Sequence, residues 1–187
     1  LTRETLALPD VPNQQAAMLP GHGWRPPELN QVKINTDAAV RFVEEKSGTS
    51  GVARSQTTLM GAWCKPHLGV TDLMIAEALA LRDGVIFANL RGYANVIMET
   101  DSLEIVNLWN TRRNSRSAVA LVFFEIDELA DSFHSFVIQH VSRSANRPAH
   151  LCAQRACNVS VTESWLSETP SFLVSSLMAD CLANTFV

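Results

Sequence analysis

Gln31-Val32-Lys33-Ile34-Asn35-Thr36-Asp37 is the stretch from which the fold can be read. Val32, Ile34 and Thr36 alternate with Gln31, Lys33 and Asn35, the period of a half-buried strand, and the run stops on an acid. Ala94–Glu99 is again a strand, and it too runs into acids, Glu99 and then Asp101. Between the two, Arg41–Ser50 reads as a turn region, since it contains Gly48 with Gly51 just beyond. Gly51–Ser55 and Leu59–Lys65 read as two more strands joined by the polar turn Gln56-Thr57-Thr58. Thr71 or Asp72 caps a helix predicted to reach about Leu90, with Gly92 as its stop. In that helix Ala76, Ala80, Gly84 and Ala88 recur every fourth residue, a small-residue stripe suited to close packing on a sheet, with Glu77 beside it.

Further out, Ser102 caps a short helix to Trp109. Ala118–Ser132 is a helix with Val119, Val122, Phe123, Ile126 and Leu129 on one face. Ser135–Val141 is a fifth strand and Ala145–Ala156 the helix after it. Three strands followed by alternating helices and strands make an α/β fold with a mixed sheet. The first three strands pair antiparallel, and crossovers make the later pairs parallel.

The flanks read differently. Residues 1–30 contain Pro9, Pro12, Pro20, Pro26 and Pro27 and no sustained periodicity: an extended leader, in which Trp24 can pack on the domain. After Asn158 come Trp165, Pro170 and an apolar stretch from Phe172 to Leu182, a tail with a helix expected to fold back on the domain. The expected division is leader 1–30, domain 31–157 and tail 158–187. The chain begins at Leu1 rather than Met, which reads as a fragment or an incomplete gene model.

With 187 residues, 47% hydrophobic and 18% charged, the chain can build one ordinary core, and general disorder is excluded. No apolar run approaches the roughly 20 residues of a membrane span. The first twenty residues lack the basic start and apolar run of a secretion signal. Cys64, Cys152, Cys157 and Cys181 show no zinc-like spacing and read as free thiols of a reducing compartment, cytoplasm or nucleus. Taken as a total, the formal charge of −4 argues against nucleic acid. Its distribution does not: Gln31 to Cys157 holds 13 Lys and Arg against 13 Asp and Glu, and the excess lies in the flanks. Arg112, Arg113 and Arg116 cluster in the polar stretch TRRNSRS, a solvated loop or a contact for phosphates.

Asp37 ends one strand, Asp101 follows another, and Glu77 lies early in the first helix. If the two strands are neighbours, the aspartates emerge side by side and the helix can aim Glu77 at the same point. Clustered carboxylates repel unless a hard cation neutralises them, and oxygen ligands suit Mg²⁺ or Mn²⁺. Each acid alone also has a plain reading, as turn residue, surface charge and N-cap in turn. Their joint placement tips the balance.

The order KINTDAA, GVARS, AEALALRDGVIFANLRG, VIMETDSLEIV and FVIQHVSRSANRPAHLCAQRA resembles the ribonuclease H type 1 family, in its reverse-transcriptase-like branch abundant in plants and often derived from retrotransposons. The resemblance runs from about Lys33 to Ala156. It implies a five-stranded mixed sheet in the order 3-2-1-4-5 and hydrolysis of the RNA strand of an RNA–DNA hybrid with two Mg²⁺ or Mn²⁺ ions. It makes Asp37, Glu77 and Asp101 the first three catalytic and metal-binding acids. It sets His150 of Asn146-Arg147-Pro148-Ala149-His150 where the family carries its fourth catalytic and metal-binding acid; imidazole is a poor ligand for Mg²⁺ but able to bind Mn²⁺ or Zn²⁺. The loop after the fifth strand, Val141-Ser142-Arg143-Ser144, is shorter than the family's flap. Both departures imply attenuated turnover, and the lost charge at His150 implies weaker binding of one ion with a shift towards Mn²⁺.

His150 has a second reading as a local helix residue bonded to a neighbour. Asn146 reads as a helix cap, Trp63 and Trp109 as core, and Arg112, Arg113, Arg116 and Arg143 as low-ranking nucleic-acid contacts. Three functions follow: an active hybrid ribonuclease, a hybrid- or duplex-binding module without turnover, and a retroelement-derived interaction domain. A monomer is expected in each case.

Overall fold

The computed structural model describes residues 23–114 and 117–184, so the leader up to residue 22 and Arg116 lie outside the described residues. The elements run β1 (Val32–Arg41), β2 (Lys46–Arg54), β3 (Leu59–Leu68), α1 (Leu73–Leu90), β4 (Asn95–Thr100), α2 (Leu103–Asn110), α3 (Ala120–Ala130), β5 (Ser135–His140), α4 (Arg147–Ala156), β6 (Glu163–Trp165) and α5 (Ser171–Asn184). One sheet holds all six strands in the order β5-β4-β1-β2-β3-β6. β1, β2 and β3 pair antiparallel, while β1–β4 and β4–β5 are parallel. The five-strand order expected from sequence is present, with β6 added antiparallel on the outer edge of β3.

The turn expected over Arg41–Ser50 is a correction. Only Phe42–Glu45 turns; β1 continues to Arg41 and β2 begins at Lys46. The two glycines serve close approach instead of a bend. A Cβ on Gly48 would lie 2.3 Å from the Cβ of Ala156 in α4, and one on Gly51 would meet the Trp63 ring at 1.9 Å.

Strand alternation gives the sheet two apolar faces. Ala53 and Trp63 join Ile34 and Met98 in the larger cluster, covered by Leu81 and Val85 of α1, Ile105 and Trp109 of α2, and Phe123 and Ile126 of α3. Burying each of these larger side chains contributes about 1.5–3 kcal/mol. Val52, Ala62 and Cys64 face the other way, against Cys152 and Ala156 of α4 and Leu173 of α5. The small stripe of α1 is buried along its length, Ala76, Ala80 and Ala88 at 0% exposure. A Cβ on Gly84 would stand 2.4 Å from the Met98 methyl, so the stripe lets the helix lie against β4.

Local signals end the helices as read. Asp72 accepts from the Ile75 N–H at the start of α1, and Gly92 follows its end at φ +67°. Ser102 caps α2 through Ile105 N–H. Beside the tail lies a buried polar chain. Arg54 donates to Asp180 of α5 at 2.5 Å and to Asn35 Oδ1 at 2.7 Å. Asn35 donates to Glu99, which also receives Lys33 and Gln139, each at 2.9 Å. The Arg54 guanidinium stacks 3.6 Å over the buried Trp24 ring. Among the described residues no helix is long and apolar enough to cross a membrane.

Candidate metal centre

The register of the parallel pair brings the first two acids together. Asn35 stands opposite Glu99, so two residues on Asp37 faces Asp101, just past the end of β4. Glu77 is the fifth residue of α1, and α1 packs on β1 through its small stripe, which carries the carboxylate to the same point. Oxygens of Asp37, Glu77 and Asp101 lie within 4.8 Å of one another. Asp37 and Glu77 are buried, at 4% and 7% exposure, while Asp101 is half-buried.

Burial and crowding shift the acidity of Asp37 and Glu77. Burial, then repulsion from Asp37 and Asp101, pushes the Glu77 carboxyl up to about 9. Burial, then Asp101, raises Asp37 to about 6 against the opposing pull of a hydrogen bond from His150. Glu77 Oε2 is buried and has no hydrogen-bond partner among the described residues. A buried carboxylate oxygen without a donor is costly, and a divalent cation shared by the three acids would satisfy it. The donor set, all carboxylate, suits a hard ion such as Mg²⁺ or Mn²⁺. The residues present therefore fit the ion.

The other wall comes from α4. Ser50 of β2 donates to Ala149 O at 2.7 Å and fixes the start of that helix on the sheet. Asn146 precedes α4 but does not cap it through its side chain. Its amide reaches back to Thr36 O at 3.0 Å and Asp101 Oδ1 at 3.3 Å, a role in the site that its helix-start position concealed.

His150, one turn into α4, puts Nδ1 2.8 Å from Asp37 Oδ2, while its Nε2 lies 3.1 Å from the Gln154 amide nitrogen. It stands beside the three acids without belonging to the set that shares the 4.8 Å space. Among the arginines, Arg143 is 80% exposed with Nε 3.9 Å from Asp101. Arg113 is exposed on a short 3-10 turn, Arg112–Asn114. Arg112 is committed elsewhere. It forms a two-pronged pair with Asp127 at 2.7 and 2.8 Å, donates to Trp109 O and stacks 3.6 Å over the Trp109 ring. Trp63 and Trp109 are core residues, as read.

Similar proteins bear on this geometry. A family model described as reverse transcriptase-like matches residues 35–156. A relative from Arabidopsis thaliana, named "Putative ribonuclease H protein", is 29% identical over 166 residues, which is 87% of this chain but only 26% of the relative. The RNase H1 of Halobacterium salinarum superposes with a TM-score of 0.64 at 20% identity, covering 68% of this chain and 98% of that one. The N-terminal RNase H domain of a Mycobacterium tuberculosis protein gives 0.62 at 21%, covering 68% and 94%. An RNase H1 solved with an RNA/DNA hybrid gives 0.61 at 18%, covering 68% and 96%. At such identities the solved structures establish the fold. Together with the family match, they make the chain a member of the reverse transcriptase-like family, built on the ribonuclease H fold.

Proposed function

We propose that residues 31–157 form a metal-dependent nuclease domain that hydrolyses the RNA strand of RNA–DNA hybrids, with residues 1–30 a leader and 158–187 an appended tail. The observation that carries this reading is the convergence of Asp37, Glu77 and Asp101 within 4.8 Å around a buried, unpartnered Glu77 oxygen. A scaffold without such chemistry gains nothing from gathering three repelling charges. One copy of the chain supplies all three acids, so the reading needs no second subunit. Three of the four free thiols are buried, in keeping with a reducing compartment.

In this reading Asp37, Glu77 and Asp101 are the cation ligands. A divalent ion held there, or a pair of them, would supply Lewis-acid activation of the phosphoryl group and of an attacking water. The chain's own residues supply the rest. Asn146 holds Asp101 through one oxygen, and β1 holds Asp37 rigidly in the middle of the sheet. Exposed Arg143, next to Asp101, is placed to meet a backbone phosphate. Arg112 is left out of the interface, since Asp127 and Trp109 already hold it. The neutral balance of the domain suits recognition by groove shape and 2′-hydroxyls with few phosphate contacts.

The test is cleavage of a labelled RNA–DNA hybrid by the full chain in Mg²⁺ and then Mn²⁺, beside Asp37→Asn. Cation-dependent cutting of the RNA strand that Asp37→Asn abolishes is expected. Hybrid binding at micromolar protein with no cutting in either metal would move the chain to the binding-module reading.

A further inference from the structure

Asp37 has two carboxylate oxygens, and one of them already has a donor. An ionised Asp37 can only accept, so the 2.8 Å contact of its Oδ2 with His150 Nδ1 calls for a proton on Nδ1, and in that tautomer Nε2 can accept from the Gln154 amide nitrogen 3.1 Å away. Ser50 and Asn146 fix the start of α4, so the imidazole is held against Asp37 by the docking of the whole helix. The sequence implied a different role, with His150 as a nitrogen ligand in place of a missing acid. In the structure both ring nitrogens are engaged, one as donor and one as acceptor, so neither offers a free lone pair.

An N–H aimed at a carboxylate oxygen presents positive charge to any cation approaching from that side. A carboxylate can give one oxygen to each of two ions about 3.5–4 Å apart only if both of its oxygens are open to cations. Asp37 lies on the central strand β1, within 4.8 Å of Glu77 and Asp101 and 2.8 Å from His150 of α4. We propose that His150, set by Gln154 as a positioning residue, keeps Asp37 Oδ2 out of the cation site, so that the protein alone holds one divalent ion tightly. This rests on the metal-centre reading above and refines the number of ions. It also separates two explanations of a weak second ion. In one the position lacks a negative charge; in the other it carries a proton donor.

Asparagine tells them apart, because its Nδ2 occupies nearly the same place as imidazole Nδ1 and can donate to Asp37, but it has no ring nitrogen. The experiment is Mn²⁺ titration of the full-length chain, with free Mn²⁺ counted by electron paramagnetic resonance and no nucleic acid present. Wild type, His150→Asn, His150→Asp, Gln154→Leu, Asp37→Asn and Glu77→Gln are compared, each with its melting temperature recorded. One tight Mn²⁺ per chain is expected for wild type and His150→Asn. A second ion should bind to His150→Asp about 10-fold or more tightly than the second site of wild type, the usual scale for residues around a metal's ligands. Gln154→Leu, which frees Nε2, should also tighten the second ion. Two ions of equal affinity in wild type, or loss of an ion in His150→Asn, would overturn the proposal, the latter by showing imidazole to be a ligand. If Asp37→Asn and Glu77→Gln bind Mn²⁺ as wild type does, the metal centre itself is wrong. If they lose it while His150→Asp gains nothing, only the role of His150 fails.

Discussion

Replacing Glu77 by glutamine should stabilise the metal-free protein, and by an amount that grows with pH. The Glu77 carboxyl ionises at about 9 in the fold, against an ordinary value of 4.5. A group whose folded value is raised favours folding at low pH and ceases to do so as pH climbs towards the folded value. Here the unfolded chain begins to lose its proton near pH 4.5, while the fold keeps it, so the native state grows relatively less favourable up to about pH 9. From pH 5 to pH 8 the full three-unit span is worth about 4 kcal/mol at 1.36 kcal/mol per unit, and about 2 if half is lost to readjustment of Asp37. Coulomb's law gives the same order: unit charges 4.8 Å apart repel by about 3–4 kcal/mol per pair at an effective dielectric of about 20. Glu77→Gln removes the charge and leaves a donor beside Asp37. The assay is urea unfolding in EDTA at pH 5, 6.5 and 8, followed by fluorescence of the buried Trp63 and Trp109. The stability of Glu77→Gln over wild type should widen by about 2–4 kcal/mol across that range. Saturating Mg²⁺ should narrow the gap, since only wild type keeps all three ligands. Curves that stay parallel to within about 0.5 kcal/mol would refute the claim that Glu77 is a strained, buried acid.

Three further perturbations test the frame around the site. Gly48→Ala places a methyl where the Ala156 Cβ stands 2.3 Å away, so chemical denaturation should show a loss of about 1–3 kcal/mol with α4 displaced. Arg112→Ala should lower the melting temperature through loss of the Asp127 pair and the Trp109 stack while leaving hybrid affinity within about twofold; a salt-dependent drop in affinity would return Arg112 to the interface. Ending the chain at Val159 removes β6 and α5, uncovers Leu173's partners Val52 and Ala62, and should cost solubility as well as stability. A shortened chain that melts like the full one would show the tail to be an ornament.

What could be read from the sequence was whatever lay along the chain itself. Alternation in Val32–Thr36 marked β1, Asp72 and Gly92 bounded α1, and Ala76, Ala80, Gly84 and Ala88 announced a helix lying close on a sheet. The acids could be grouped because strand ends are addresses that a parallel register makes equal. What escaped depended on partners far away in sequence. Gly48 looks like a turn until Ala156, 108 residues later, is seen to need its space. β6 is three residues long and exists because β3 offers an open edge. Asn146 carried the composition of a cap and spends its amide on Thr36 and Asp101. Arg112 sat in a polar run whose counter-charge, Asp127, belongs to the next helix. Local pattern reports which face a residue shows, and only the assembled fold reports what meets it there.

The buried Arg54–Asp180 pair couples the part of the chain that the family model matches to the helix beyond it. The family match stops at residue 156, and Asp180 lies 24 residues past it, yet it is Asp180 that pairs with the buried Arg54 of β2, alongside Asn35 and the Trp24 ring. Burial raises the Asp180 carboxyl even with Arg54 beside it, so the pair does not fully recover its lost hydration. An arginine left in that place without its partner would be far worse. Positions 54 and 180 are therefore not free to drift separately: descendants or cousins that shed the tail should carry an apolar or small residue at position 54, and those that keep an arginine there should keep an acid on the last helix. Inheritance of the tail and the chemistry of one strand in the sheet become a single trait.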